Sequence, residues 1–219
     1  MDVAEAVKKR ISTRAFKPDP VPGETVRKLL QMAAQAPSGG NLQPWRVYAL
    51  AGAPLAEFKA LIATSPMEEP EYEVYPASLW DPFRTRRFVC GEDLYASIEI
   101  PREDRPARLR QLARNGDFFG APVGLFFCLD RQLGPPQWSD LGMMMQTFML
   151  LAVAEGLATC PQEYWARYPK TVARFVNLPD DHMLFSGMAL GYADESHAIN
   201  NWRTRRDPLE VWAELHGFN

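Results

Sequence analysis

The chain has 219 residues, a length that suits one domain or two small ones, and its 47% hydrophobic content supplies enough apolar side chain for a core and excludes disorder as the main state. With 24 Lys and Arg against 27 Asp and Glu the formal charge is −3, which excludes the bulk positive field that nucleic-acid binders use on a phosphate backbone. Three cysteines, Cys90, Cys128 and Cys160, lack CxxC spacing and the three histidines do not cluster with them, so neither a disulfide framework nor a zinc site is indicated.

In chain order, Val3 to Arg10 behind Asp2 as N-cap reads as a short amphipathic helix. This start puts acid before base and has no apolar core, so it is no signal peptide, and the cytoplasm is the expected compartment. Val26, Leu29, Leu30 and Ala33 form the stripe of a surface helix that stops at Pro37-Ser38-Gly39-Gly40. Trp45 to Leu50 alternates as a strand, and Leu55, Phe58, Leu61 and Ile62 return to helical spacing. From Thr64 to Phe83, prolines at 66, 70, 76 and 82 forbid a long helix or a central strand, and a loop this long is usually functional. Helical patterns resume around Glu92 to Ser97 and Asp104 to Ala113. Val123 to Leu129 is an unbroken apolar run, the pattern of a strand buried on both faces.

Met143 to Leu157 reads as a helix hydrophobic all round. Its apolar run, Leu141 to Ala154, falls short of the roughly 20 residues a bilayer span needs. It is a buried helix that calls for cover on every side, from a second subunit or from its own chain. Leu157 to Cys160 suits a short strand, Lys170 to Phe175 a short helix and Met183 to Leu190 a strand. Tyr192 to Arg206 is polar, and Leu209, Trp212 and Leu215 mark a terminal amphipathic helix. No flexible linker divides the chain. The expected fold is α+β in one domain over 1–219, with a mixed sheet of four to five strands surrounded by helices.

Two basic clusters stand out, Arg10-Ile-Ser-Thr-Arg14 and Arg203-Thr-Arg-Arg206. Guanidinium forks with hydroxyls between them suit a phosphate dianion, with a solvated basic surface as the alternative. Ala36-Pro-Ser-Gly-Gly-Asn-Leu-Gln-Pro-Trp45 can approach a flat ligand through its backbone, or simply close a helix. No P-loop, GxGxxG, GxSxG or HExxH occurs, so a Rossmann-type dinucleotide site is disfavoured.

Together these stretches carry a resemblance. Arg10-Ile-Ser-Thr-Arg14-Ala-Phe16, then Ala36 to Trp45, then Asn201-Trp-Arg203-Thr-Arg-Arg206-Asp-Pro-Leu209 resemble the FMN-dependent nitroreductase family, in the family's order. Asn115 to Pro122, Gly156 to Pro161 and Gly187 to Gly191 also fit, so the likeness spans nearly the whole chain. Within the family it is most similar to the branch with nitrobenzoate and dinitroaniline reductases. The resemblance implies that Arg10, Ser12, Arg14 and Arg206 hold the FMN phosphate with Arg203 as helper, and that Ile11 belongs to the same cofactor-binding stretch. Pro37, Ser38, Gly39 and Asn41 would reach the ring and ribityl chain across a dimer interface. Pro161, Gln162 and Glu163 would offer backbone N–H groups to flavin N5. It further implies an intertwined homodimer whose C-terminal arm, 192–219, embraces the partner.

The cofactor would then carry the redox chemistry, with no catalytic side chain required. Hydride from NADH or NADPH would reach N5, and a nitroaromatic or quinone would follow in the same slot, giving ping-pong kinetics. Arg84, Arg86 or Arg87 are candidates for the cation that stabilises the reduced ring, Arg87 foremost. Segment 64–90 is a candidate lid, with Tyr72, Tyr75, Trp80 and Phe83 as the surface for a flat acceptor, or else as a satellite core. Flavin fragmentation or reductive dehalogenation on the same scaffold, and flavin binding without turnover, are the competing expectations.

Overall fold

The computed structural model describes residues 1–218, in which seven α-helices surround one four-stranded sheet. α1 (Val3–Lys9) starts at Asp2, whose carboxylate accepts from Glu5 N–H at 2.8 Å in a capping box. α2 (Gly23–Ala33) buries Val26, Leu29 and Ala33 as their spacing predicts. β1 (Arg46–Ala51) and α3 (Gly52–Thr64) follow, and Leu55, Phe58 and Ile62 of α3 are buried.

No helix or strand forms between Thr64 and Phe83, as the prolines require. α4 (Phe83–Ala96) nevertheless begins well ahead of the Glu92 expected from periodicity. The reason is local: Asp81, just upstream, accepts from Thr85 Oγ1 at 2.7 Å and pairs with Arg84, supplying acceptors to the first turn. α5 (Arg105–Ala113) starts at an Asp104 cap, where the side chain accepts from Ala107 N–H at 2.9 Å.

β2 (Val123–Asp130) is buried on both faces. Its odd residues, Val123, Leu125, Phe127 and Leu129, face the core formed with α2 and α6, while Phe126 and Cys128 face Phe58 and Trp165. α6 (Pro135–Ala154) is longer at its start than the apolar run suggested, because Pro135 and Pro136 occupy first-turn positions that need no intrahelical donor. It ends at Gly156, whose φ of 76° lets Leu157 N–H return to Ala152 O at 2.8 Å. β3 (Ala158–Gln162), α7 (Pro169–Val176) and β4 (His182–Gly191) complete the core.

The strand order is β1-β2-β4-β3 and every ladder is antiparallel, which corrects the expectation of a mixed sheet. β2, α6 and β3 do form a crossover between two like-directed strands, but β4 inserts between them and runs against both. β2 and β3 therefore do not pair, and the parallel bridge that occurs, Ser12 to Thr159, joins the N-terminal loop to β3. The terminal amphipathic helix is likewise corrected. Leu209–Val211 makes a single 3₁₀ turn, and Trp212, Leu215 and Phe218 are exposed, Phe218 at 77%. A stripe this short has no helical stability of its own without a face to pack on.

α6 is half covered by its own chain: Leu141, Met144, Met145, Phe148, Met149 and Ala152 are buried, whereas Met143 is 40% exposed. Among the described residues no helix is long and apolar enough to cross a membrane.

Candidate active site

The Arg10–Arg14 loop lies along β3. Thr13 N–H donates to Thr159 O at 2.9 Å, and Ser12 bridges the same residue. Asn200 then draws the late chain onto it: its Oδ1 accepts from Arg14 N–H at 2.8 Å, and its amide donates to Ala15 O at 2.9 Å and Asp194 O at 2.8 Å. Arg203 donates to Lys8 O at 2.7 Å, at the negative end of α1. The two basic clusters from opposite ends of the chain are thus one site.

Electrostatics describe what that site wants. Partial burial, then the neighbouring charges of Arg206 and Arg203, hold the Arg10 guanidinium below its ordinary pKa. Among the described residues none of these three arginines takes a carboxylate partner, whereas Arg84 and Arg86 of α4 and Arg108 of α5 do. Thr159 Oγ1 is buried beside the loop with no hydrogen-bond partner. Like charges gathered without an acid are costly unless an anion joins them, and such a donor set fits a phosphate dianion. Cys160 lies here too, but burial pushes its thiol up to about 11 against the pull of Arg14 and Arg10, so it stays neutral and inert.

The Pro37–Asn41 loop is held from α6. Gly39 N–H donates to the buried Asp140 at 3.2 Å, and Ser38 Oγ accepts from Gln43 N–H at 3.0 Å. Asn41 and Gln43 adopt left-handed φ of 57° and 49°, strain that costs about 1 kcal/mol or more each and that gathers at ligand-binding loops. Pro37 and Asn41 are exposed, and no hydrogen bond or ion pair joins this loop to the arginines of its own chain. Asp140 carries no periodic or motif signal; only its place just ahead of the apolar run singles it out.

At the end of β3, the Gln162 side chain turns inward. Its Nε2 donates to Asn115 O at 2.9 Å and its Oε1 accepts from Trp165 Nε1 at 3.2 Å, so only its backbone is available to a ligand. Glu163 opens the 3₁₀ turn Glu163–Arg167, whose first N–H groups lack intrahelical partners. Pro161 is half-buried in β3.

Segment 64–90 is strapped down over its first part. Glu68 caps α7 from outside, accepting from Lys170 N–H at 2.8 Å and Thr171 Oγ1 at 2.7 Å. Glu71 pairs with Arg131 at 2.7 Å. The Tyr72 hydroxyl donates to Phe185 O, its ring stacks on Phe185 at 6.0 Å and meets Trp138 at 5.6 Å, and burial raises its pKa to about 12. Tyr72 therefore packs onto the main core. Tyr75 donates to Glu163 Oε2 at 2.9 Å, and the Arg87 guanidinium lies over its ring at 4.7 Å. Trp80 and Phe83 meet edge to face at 5.5 Å and remain 58% and 46% exposed. Arg84 is taken by Asp81 and Arg86 by Asp207, which leaves Arg87 as the α4 arginine of this group without an acid among the described residues.

The chain is similar to known proteins along its whole length. Residues 7–192 match the nitroreductase family. The chain is 43% identical to the FMN and NADPH-dependent nitroreductase NfnB from Sphigopyxis sp. strain HMH, whose crystal structure aligns with a TM-score of 0.96 over 100% of both chains. It is 36% identical to the 4-nitrobenzoate reductase of Pseudomonas putida, over 100% of this chain and 97% of that one. Identity is also 36% to the chloronitrobenzene nitroreductase of Comamonas testosteroni, over 95% and 94% of the two chains. An α+β core, an arginine site drawn from both chain ends and this full-length likeness have one reading: the chain belongs to the nitroreductase family.

Proposed function

We propose that the protein is an FMN-dependent oxidoreductase that takes hydride from NADPH or NADH and reduces nitroaromatic compounds, acting as a homodimer. The observation that carries this reading is the meeting of Arg10, Arg203 and Arg206 without a counter-ion, in a chain whose relatives are nitroreductases along their full length. FMN, when bound, supplies two-electron exchange between a nicotinamide and an acceptor.

Arg10, Ser12, Arg14 and Arg206 would hold its phosphate, with Ile11 within the loop and Arg203 fixing the late segment that carries Arg206 to the end of α1. The backbone at Pro161, Gln162 and Glu163 borders the ring, and Asn115 and Trp165 keep the Gln162 side chain from swinging into the site. Tyr75, Trp80 and Phe83 offer aromatic surface to the acceptor, and Tyr72 anchors the segment that carries them. The movable part of the candidate lid is residues 76–82, between Tyr75 and the start of α4. A second copy supplies the Pro37–Asn41 loop and covers α6 and the exposed arm.

The test is reconstitution. Purified protein mixed with FMN and desalted should stay yellow and oxidise NADPH or NADH only when a nitroaromatic is added. The double variant Arg10→Gln, Arg206→Gln should lose the flavin while keeping its fold by circular dichroism. Colourless wild-type protein after reconstitution, or nicotinamide oxidation indifferent to nitroaromatics, refutes the reading.

A further inference from the structure

Resting on the nitroreductase reading, we infer that Arg87 binds an anionic substituent of the acceptor, so that the substrate class is nitroaromatics carrying a carboxylate. Sequence likeness does not make this choice, since the chain is 36% identical both to an enzyme named for nitrobenzoate and to one named for the neutral chloronitrobenzene. The side chains do.

Arg84, Arg86 and Arg87 lie in the first turns of α4, where the helix dipole is positive and a cation is disfavoured. Asp81 and Asp207 relieve the first two. Arg87 is instead laid on the Tyr75 ring at 4.7 Å, and that ring is fixed by its hydroxyl, 2.9 Å from Glu163 Oε2. The Glu163 carboxylate is directed to the tyrosine and makes no ion pair with Arg87. The result is a guanidinium on a rigid plate, anchored to the turn that follows β3, that shares the Tyr75 hydroxyl with Glu163 and has no carboxylate partner of its own among the described residues.

A surface for an aromatic body adjoins it. Phe83 and Arg87 are four residues apart on α4 and share one face of the helix, and Phe83 with Trp80 is exposed. A benzoate fits that pairing, its ring against the aromatics and its carboxylate in the Arg87 fork.

The experiment compares kcat/KM for 4-nitrobenzoate and for its methyl ester, which has the same ring and nitro group without the charge, using the FMN-loaded enzyme. Wild type should prefer the acid. Arg87→Gln should lower the acid-to-ester ratio about 10- to 100-fold, the worth of a charge-assisted fork, with the loss in KM for the acid. Arg87→Lys, which keeps the charge, should fall between. A wild type indifferent to the charge overturns the inference, as does an unchanged ratio in Arg87→Gln or a lysine variant as poor as the glutamine one. It is also overturned if both acceptors lose equally while the flavin potential shifts, because Arg87 then serves the ring, or if only the nicotinamide KM rises. Failure to reduce either compound refutes the broader reading instead, and this one with it.

Discussion

Gly187 shows how one residue can hold a site it never touches. A Cβ built there would lie 2.2 Å from Trp165 Cδ1, within the buried aromatic cluster of Phe58, Phe118 and Phe126. The indole cannot move freely, because its N–H donates to Gln162 Oε1, and Gln162 in turn holds Asn115. Gly187→Ala must therefore displace Trp165 or bend β4. We expect a loss of about 2–3 kcal/mol, overpacking plus a broken buried hydrogen bond, read as a lower denaturant midpoint in urea. The variant should also bind FMN more weakly, since Gln162 sets the backbone at the end of β3; an unchanged midpoint would show that the indole has room. At this scale the sequence spoke unevenly. Arginine clusters were legible because charge breaks the background wherever it occurs. For Gln162 the sequence reading concerns the backbone alone, and it is silent on the inward turn of the side chain, as it is on Asp140 and Asn200. Their roles depend on which distant backbone each meets, as with Asn200 and Arg14.

Elements were legible where burial follows a period, and misplaced where caps decide. α2 and β2 have apolar spacing that matches the faces they bury, so pattern and structure agree. The start of α4 could not be read that way, because it has no buried residue and is set by Asp81 and by ion pairs on its flanks. One of these ties α4 to α5: Arg108 grips Glu92 through two bonds of 2.6 and 2.9 Å and stacks on Tyr95 at 4.3 Å. The guanidinium bonds hold the Glu92 carboxyl below its ordinary 4.5 against a smaller opposing desolvation. A carboxylate with a depressed folded pKa stabilises the fold fully above its unfolded value, and that contribution is lost as pH falls through the folded value. The docking of α4 should hold from neutral pH to about 4.5 and weaken below it. Glu92→Gln should flatten that acid limb in urea titrations stepped from pH 7 to pH 3. A wild-type limb retained in the variant would assign the acid sensitivity elsewhere, with Asp81 and Asp194, whose carboxyls are also held low, as the next groups to test.

For the whole molecule, the fold class could be read from the alternation of strands and helices, but the direction of the ladders could not. Whether β4 adds outside β3 or inserts between it and β2 is a long-range choice, made by packing such as the close approach of Gly187 to Trp165 and of Gly191 to Pro122. The terminal arm presents the same difficulty in another form. Its apolar stripe is real, yet Leu209, Val211, Trp212, Leu215 and Phe218 remain exposed among the described residues. Such a run of exposed large side chains suits an interaction surface, and under the proposed homodimer the half-covered α6 offers a second apolar strip for the same copy of the chain. The arm is tied at its base, where Arg86 pairs with Asp207 and Arg205 reaches Asp93 at 3.3 Å, so it leaves the body in a fixed place. Ending the chain after Asp207 keeps those pairs together with Arg203 and Arg206 but removes the stripe. In sedimentation, full-length protein should run at twice the mass of one chain, and the truncated form should dissociate on dilution. Its flavin should be lost in step with dissociation if, as proposed, the Pro37–Asn41 loop reaches the cofactor from the second copy. A truncated protein that stays dimeric at nanomolar concentration would move the weight of the interface onto α6, and a full-length monomer that retains its flavin would remove the partner from the site altogether.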